Sequence, residues 1–315
     1  MKLAAGIINY RTYDDAIACV HSLRKSEVAP DRILIADNES DEVEVRRLKT
    51  AVGAANVLDS PANRGYAGGA NAVLRATRDA EFVLLLNPDV RVRPGFTSEL
   101  LKAAEANPRA GVFGGKLVRP DGRTLDSTGV VARRNGRNED RGSGTADDGR
   151  FDGPEEMFGA TGAAILLRRA AMEEIRIGDE YFDEDFFLYH EDNDLCWRVL
   201  LAGWKSLYVP SAVAEHTRAY RAGERQGKSR LVRGHAFKNH YLKLVKNILP
   251  AQFARDGLHI LGWEAVRLGY ATLREPFLLG YAWNALTLLP RALRKRRAIM
   301  SRRRAGWREL SRWFV

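Results

Sequence analysis

The first hundred residues alternate short apolar runs with stretches of helical spacing, and this constrains the fold more than any other feature of the chain. LAAGII (3–8), ILIA (33–36), NVLD (56–59) and FVLLL (82–86) have the length and composition of buried strands. Between them, Ala16, Ile17, Val20 and Leu23 recur at helical spacing. Residues 70–78 read as another helix, and Pro94-Gly95 opens one that runs through Ala106. Strand–helix alternation of this kind covers both faces of a mostly parallel central sheet, so the expected fold class is α/β with flanking helices. A chain of 315 residues can form one large domain or a domain with an appendage.

In an open α/β sheet, ligands bind beyond the carboxyl ends of the strands. Here those ends carry amides and carboxylates in succession. The first run ends at Asn9-Tyr10, the second at Asp37-Asn38, and the third is followed by Asn63-Arg64-Gly65. The fourth, FVLLL, stops on Asn87-Pro88-Asp89. Asp and Asn favour loops for local reasons, so one such end would mean little, whereas four in sequence point to a polar rim. The glycines of NRGYAGGAN (63–71) do not make a dinucleotide fingerprint, which should directly follow a first strand. A helix starting near Gly68 would aim N–H groups at an anion, and a plain glycine turn explains the segment equally well.

Five segments in order carry a resemblance: DN (37–38), NRGYAGGAN (63–71), LLLNPDV (84–90), FDEDFFLYHEDNDLCWR (182–198) and PSAVAEH (210–216). Together they resemble family 2 glycosyltransferases, in particular the bacterial rhamnosyltransferase-like branch, over about residues 1–220. The resemblance implies a GT-A domain over residues 1–235 and inverting transfer of a sugar from a nucleoside diphosphate of dTDP or UDP type. The family's metal-binding Asp-x-Asp falls on Asn87-Pro88-Asp89, where only the second carboxylate is present. Mn²⁺ or Mg²⁺ would then share its shell with the diphosphate, and His216 is a further ligand or diphosphate contact under the same resemblance. Around the nucleoside it places Asn9, Tyr10, Asp37, Asn38, Asn63, Asn71 and Asn87, with Arg64 and Gly68 towards the diphosphate. The catalytic base falls on the pair Glu191-Asp192, with Asp192 the better match. Read from the residues alone, these acids could equally be the dipole-stabilised first turn of a helix, as Asp194 is taken to be. Arg198 is expected to pair with an acid. A sugar-nucleotide pyrophosphorylase should carry a Gly- and Lys-rich phosphate loop near the first strand, which GIINYRTYDD lacks. A catalytically inactive scaffold of the same fold would have no need of Asp89 and the acid pair together.

Elsewhere the composition sets simpler expectations. Residues 133–153 are glycine-rich and nearly without apolar side chains, so they read as a mobile loop. Cys19 and Cys196 match no zinc or redox spacing, which suits a reducing compartment. MKLAAGIINYRTYDD reads as a first strand rather than a signal peptide, so the catalytic part is expected in the cytoplasm. From Arg291 onward ten basic residues face Glu309 alone, which leaves nine of the ten net positive charges in this tail. The longest uncharged apolar stretch nearby, FLLGYAWNALTLLP, has 14 residues where a membrane span needs about 20. Residues 236–315 are therefore expected to form amphipathic helices and a basic tail that docks on an anionic membrane near a lipid-linked glycan acceptor, peripheral at the inner face. The near-neutral body argues against nucleic acid as the partner.

Overall fold

The computed structural model describes residues 1–38, 41–218 and 229–315. The first half runs β1 (Leu3–Asn9), α1 (Tyr13–Arg24), β2 (Arg32–Asn38), α2 (Glu42–Val52), β3 (Val57–Ser60), α3 (Gly65–Ala76), β4 (Phe82–Leu86), β5 (Val90–Val92) and α4 (Phe96–Ala106). There follow β6 (Ala110–Val118), β7 (Leu125–Ser127), β8 (Val130–Ala132), β9 (Asn138–Asp140), β10 (Glu155–Glu156), β11 (Ala164–Arg168), α5 (Arg169–Ile175), α6 (Glu191–Leu201) and β12 (Lys205–His216). The chain closes with α7 (Arg230–Asn247), α8 (Pro250–Arg274), α9 (Leu278–Ser301) and the short α10 (Trp307–Leu310).

The central sheet has the order β10-β12-β6-β11-β4-β1-β2-β3. Its first four strands in sequence are parallel, as the alternating pattern requires. β11 then enters antiparallel between β4 and β6, so the sheet as a whole is mixed. Two apolar layers cover it: α1, α2 and α4 on one face, α3, α5 and α6 on the other. α3 lies close on β1, because a Cβ on Gly6 would sit 2.3 Å from a Val73 methyl. Cys19 and Cys196 are both buried and unpaired.

Residues 133–153 are not the loose loop that their composition suggests. β8 and β9 form a hairpin there, and charged hydrogen bonds fix the rest. Lys116, nearly buried in β6, holds Asp147 and Asp152, while Arg141 bonds Thr128 and Glu155. Inserted cations and left-handed turns at Gly136, Gly142, Gly144 and Gly149 order a segment that has little apolar surface to bury.

The C-terminal helices are locked to the sheet domain rather than appended to it. Lys246 of α7 and Lys295 of α9 both bond the buried carboxylate of Asp183. Lys295 also reaches Glu180 and Asp185, and Arg291 pairs with Asp185. The tail is likewise no free arm: Arg302 and Arg304 bond the α5 end, Arg296 caps carbonyls of α7, Arg312 pairs with Glu156, and Phe314 packs on Phe158 and Trp197. Six of its ten basic residues are thus engaged within the fold. Among the described residues no helix is long and apolar enough to cross a membrane.

Burial alone would raise the Asp183 pKa, but the two ammonium groups outweigh it and hold the carboxyl well below the ordinary aspartate range. The stability this pairing contributes is therefore present above the unfolded pKa of about 4 and is lost as pH falls towards the depressed folded value. Asp183→Ala, which leaves two buried cations short of a partner, should lower the unfolding free energy by about 3 kcal/mol in urea denaturation at neutral pH, with a smaller penalty at about pH 3, below the unfolded pKa.

Candidate functional site

Because β1, β2 and β4 are parallel, their carboxyl ends share one edge, and Asn9 stands beside Asp37 in register. Asn9 is fully buried. Its amide donates to Asp37 at 2.6 Å, while its carbonyl oxygen accepts from the Thr12 hydroxyl. Tyr10, the next residue, is exposed. A groove of about 880 Å³ opens alongside between α1 and α2, lined by Arg11, Asp14, Asp41 and Arg47 among others, but neither Asp89 nor Asp192 lines it.

The chain continues from β4 through Asn87-Pro88-Asp89 into β5, which pairs antiparallel with the end of β12 so that His216 lies opposite Val90. That register, pinned by a Thr217 N–H bond to the Asp89 carbonyl, brings His216 Nε2 to 3.3 Å from Asp89 Oδ1. On the other side of the ring, Nδ1 meets Oδ2 of fully buried Asp126 at 2.7 Å. Burial would lower the His216 pKa, yet hydrogen bonds to Asp126 and Asp89 outweigh it and hold it at about 9. Arg218 extends the cluster, 3.6 Å from Asp126 and paired with Asp140 of β9 at 2.5 Å.

The acid pair stands at the start of α6. Asp192 is half-buried, and its Oδ2 accepts the Gly162 N–H at 2.9 Å while Oδ1 accepts the Asn193 N–H at 2.7 Å. The adjoining peptide ties this helix to the rim, since Asn87 donates its N–H to the Ala163 carbonyl at 2.9 Å. The Tyr66 hydroxyl also holds Gly162, donating to its carbonyl at 2.7 Å. Residues 162–163 therefore bond both the Asn87 backbone, two residues before Asp89, and the Asp192 carboxylate. Burial raises the Asp192 pKa, and the two N–H groups only temper the rise. Glu191 is buried, its Oε2 has no hydrogen-bond partner among the described residues, and burial followed by the charge on Asp192 pushes its pKa well up. Asp194 is fully buried too, but Arg198, Lys246 and Asn247 engage it. Arg198 thus pairs with an acid as its sequence context suggests.

Several rim residues face their own backbone rather than an open cleft. Asn38 donates to the Gly65 carbonyl and accepts from Arg64 N–H, and Asn63 accepts from Gly65 N–H at 2.8 Å. Asn71 is fully buried, its amide divided between the Phe182 carbonyl and Glu184 and its oxygen accepting from Tyr181 and Phe182; it secures the 181–184 segment and has no face left for a nucleotide. Arg64 is exposed and paired with Glu184 at 2.6 Å. The helix begins at Gly65, not near Gly68, and Gly68 donates its N–H to the Arg64 carbonyl, so no anion cradle forms at that glycine. Gly65 has φ +67°, and a Cβ there would lie 2.2 Å from the Phe187 carbonyl oxygen.

Asp126, Asp140 and Arg218 are absent from the sequence-derived set. Asp126 sits in TLDSTG between apolar runs, a weak local cue, and its link to His216 depends on the β6–β7 and β6–β12 pairings.

Comparison with known proteins gives this arrangement its class. The model of glycosyl transferase family 2 matches residues 5–176. The chain belongs to that family and is a glycosyltransferase. It is 31% identical over 223 residues to the N-acetylglucosaminyl-diphospho-decaprenol L-rhamnosyltransferase of Mycobacterium tuberculosis, covering 64% of this chain and 71% of the relative. Among solved structures, GalNAc-T7 with UDP, GalNAc and Mn²⁺ superimposes with a TM-score of 0.60 at 14% identity over 78% of this chain, which spans about half (48%) of that longer one. The mannosyltransferase PcManGT of Pyrobaculum calidifontis, in complex with GDP-Man and Mn²⁺, gives 0.54 at 16% identity over 92% of this chain and 75% of its own. At such identities these likenesses speak for the fold, which is GT-A.

Because Gly65 combines a left-handed backbone with a carbonyl in the path of any Cβ, Gly65→Ala should cost at least about 2 kcal/mol of stability, read from the urea midpoint. Gly68→Ala, where only the base of the Arg64 side chain is in the way, should cost less.

Proposed function

We propose that the protein transfers a sugar, with rhamnose from a dTDP donor the preferred case, from a nucleoside diphosphate to a lipid-linked glycan acceptor in cell-envelope synthesis, with inversion at the anomeric carbon. The relative from Mycobacterium tuberculosis supports the acceptor class and the sugar. The observation that supports the mechanism is that residues 162–163 bond both Asn87, two residues before Asp89, and Asp192.

Asp89 and His216 fit a hard divalent cation as a pair. A carboxylate oxygen and a ring nitrogen converge, the nitrogen becoming a ligand when the ion displaces its proton, and Asp126 orients the ring from behind, as carboxylates do for metal-binding histidines. Among the described residues no group of three or more His, Cys, Asp and Glu could hold an ion, so the diphosphate would have to supply the remaining ligands. When bound, Mn²⁺ or Mg²⁺ supplies Lewis-acid charge for the leaving diphosphate. Asn9 and Asp37 would meet the nucleoside.

Asp192 serves as the base. It is the member of the acid pair with solvent access, and its raised pKa makes it a better proton acceptor from the acceptor hydroxyl than an ordinary aspartate. Glu191, enclosed and biased towards its neutral form, supports the turn instead. The enzyme would work in the cytoplasm, peripheral at the inner face of the membrane.

Asp89→Ala should weaken Mn²⁺-dependent nucleotide binding by at least about tenfold in calorimetric titration; unchanged titration would contradict the role. Asp192→Asn should keep donor affinity while transfer falls by about 10²–10⁴-fold, whereas Glu191→Gln retains turnover. In the wild type, kcat/KM should be lost as pH falls through a value above the ordinary aspartate pKa of about 3.9. An acid limb at or below that value would exclude Asp192 as the base.

A further inference from the structure

The outer surface of the C-terminal helices has a composition that the rest of the protein lacks. Residues 230–301 contain only three carboxylates, and each is turned inward. Asp256 meets Arg134 and Arg255, Glu264 meets His240 and Arg267, and Glu275 meets Arg233. Between Gly257 and Leu273, Glu264 and Arg267 are the only charged residues of α8, and both pack on α7, where Arg267 covers the Phe237 ring. Over residues 257–273 the outward side of α8 is left without charge. Leu258 is 86% exposed and Leu273 82%.

α9 continues the surface. Residues 276–290 carry no charge, and Leu279, Trp283 and Leu286 recur at helical spacing on the exposed side, Trp283 at 68% exposure. The turn at 275–277 brings Leu273 and Leu279 to the same end of the hairpin. Exposed Arg230 lies over Phe277 at that end, beside exposed Arg274, and the α9 stripe runs on into exposed Arg294 and Arg297.

We infer that the α8–α9 hairpin is a docking surface for an anionic lipid bilayer, with Leu273, Leu279 and Trp283 entering the interface and Arg230, Arg274, Arg294 and Arg297 meeting the headgroups. Charge complementarity selects this occupant. An exposed apolar face with arginines and no exposed carboxylate complements an anionic surface, whereas a second copy would bring arginines against arginines. The surface also connects to the site: the His235 ring stacks on Phe187 at 4.8 Å and touches Tyr281 of α9, and Phe187 lies four residues before Glu191. Docking through the hairpin, rather than through the basic tail, would hold the acid pair near a lipid-borne acceptor. The inference deepens the proposed function by naming its membrane partner.

The test is flotation of the full-length protein with phosphatidylcholine vesicles containing or lacking phosphatidylglycerol, with neither donor nor acceptor present, so it can fail while glycosyl transfer stands. The wild type should float with the anionic vesicles only. The exposed double substitution Leu273→Glu/Trp283→Glu should reduce binding by at least about tenfold with an unchanged melting temperature. The tail substitution Arg303→Ser/Arg308→Ser should stay within about threefold of the wild type. Vesicle binding that survives the hairpin substitution, equal binding to uncharged vesicles, or loss of binding only with the tail substitution would overturn the inference. So would a dimer in light scattering that the hairpin substitution splits while the wild type leaves vesicles unbound.

Discussion

Two hydrogen bonds made by neighbouring residues, one to backbone and one to a carboxylate, tie the end of β4 to the start of α6. Asn87 donates to the Ala163 carbonyl and Gly162 donates to Asp192, so the stretch leading into β11 joins the end of β4 to the start of α6. Neither contact is strong by itself, since a buried hydrogen bond contributes about 1 kcal/mol net. Their value is positional. β11 is fixed in register against β4 and β6, and the Tyr66 hydroxyl donates to the Gly162 carbonyl. The end of β4 and the start of α6 are therefore tied through the same two residues.

The same logic extends outward through charge. The segment before α6 is awkward for a chain: Phe187, Tyr189 and His190 all have positive φ without being glycine. It keeps this path because the C-terminal helices grip it. Asn239 donates its amide to the carbonyls of Phe186, Leu188 and Tyr189, Lys238 donates to that of Asp185, and Lys246 and Lys295 neutralise Asp183 from two helices. An extension that composition presents as a separate basic unit thus acts as the support for the acid pair. Much of its positive charge answers carboxylates of the sheet domain, while the apolar side of α8 and α9 remains outside.

How far the sequence discloses this depends on the range of each contact. The strands FVLLL and ILIA, the helix after Pro94-Gly95 and the polar rim are local patterns and stand where the pattern puts them. The order of the family segments carries Asp89, His216 and the acid pair, of which the fold sets His216 beside Asp89 and places the acid pair at the start of α6. Residues that depend on pairing between distant strands are hidden. Asp126 supports His216 only because β7 and β12 both flank β6, and Asp140 reaches Arg218 only because 133–153 folds into a hairpin. Composition misleads there because it counts apolar surface, and this hairpin is held by inserted cations. The asparagines at 38, 63 and 71 have motif positions that suggest a ligand, and their side chains also bond the surrounding backbone, which no local pattern shows.

The central claim is that Asp89 and Asp192 serve a single cleft, with the diphosphate at the first and the acceptor hydroxyl at the second. Its most direct test is a crystal structure of the protein soaked with dTDP and Mn²⁺, with the metal located by anomalous scattering. The account predicts a peak within about 2.5 Å of an Asp89 oxygen, bridged to the diphosphate, with the Asp192 carboxylate opening into the same cavity. A peak held by other residues, or a diphosphate in a cavity that Asp192 does not line, would contradict it.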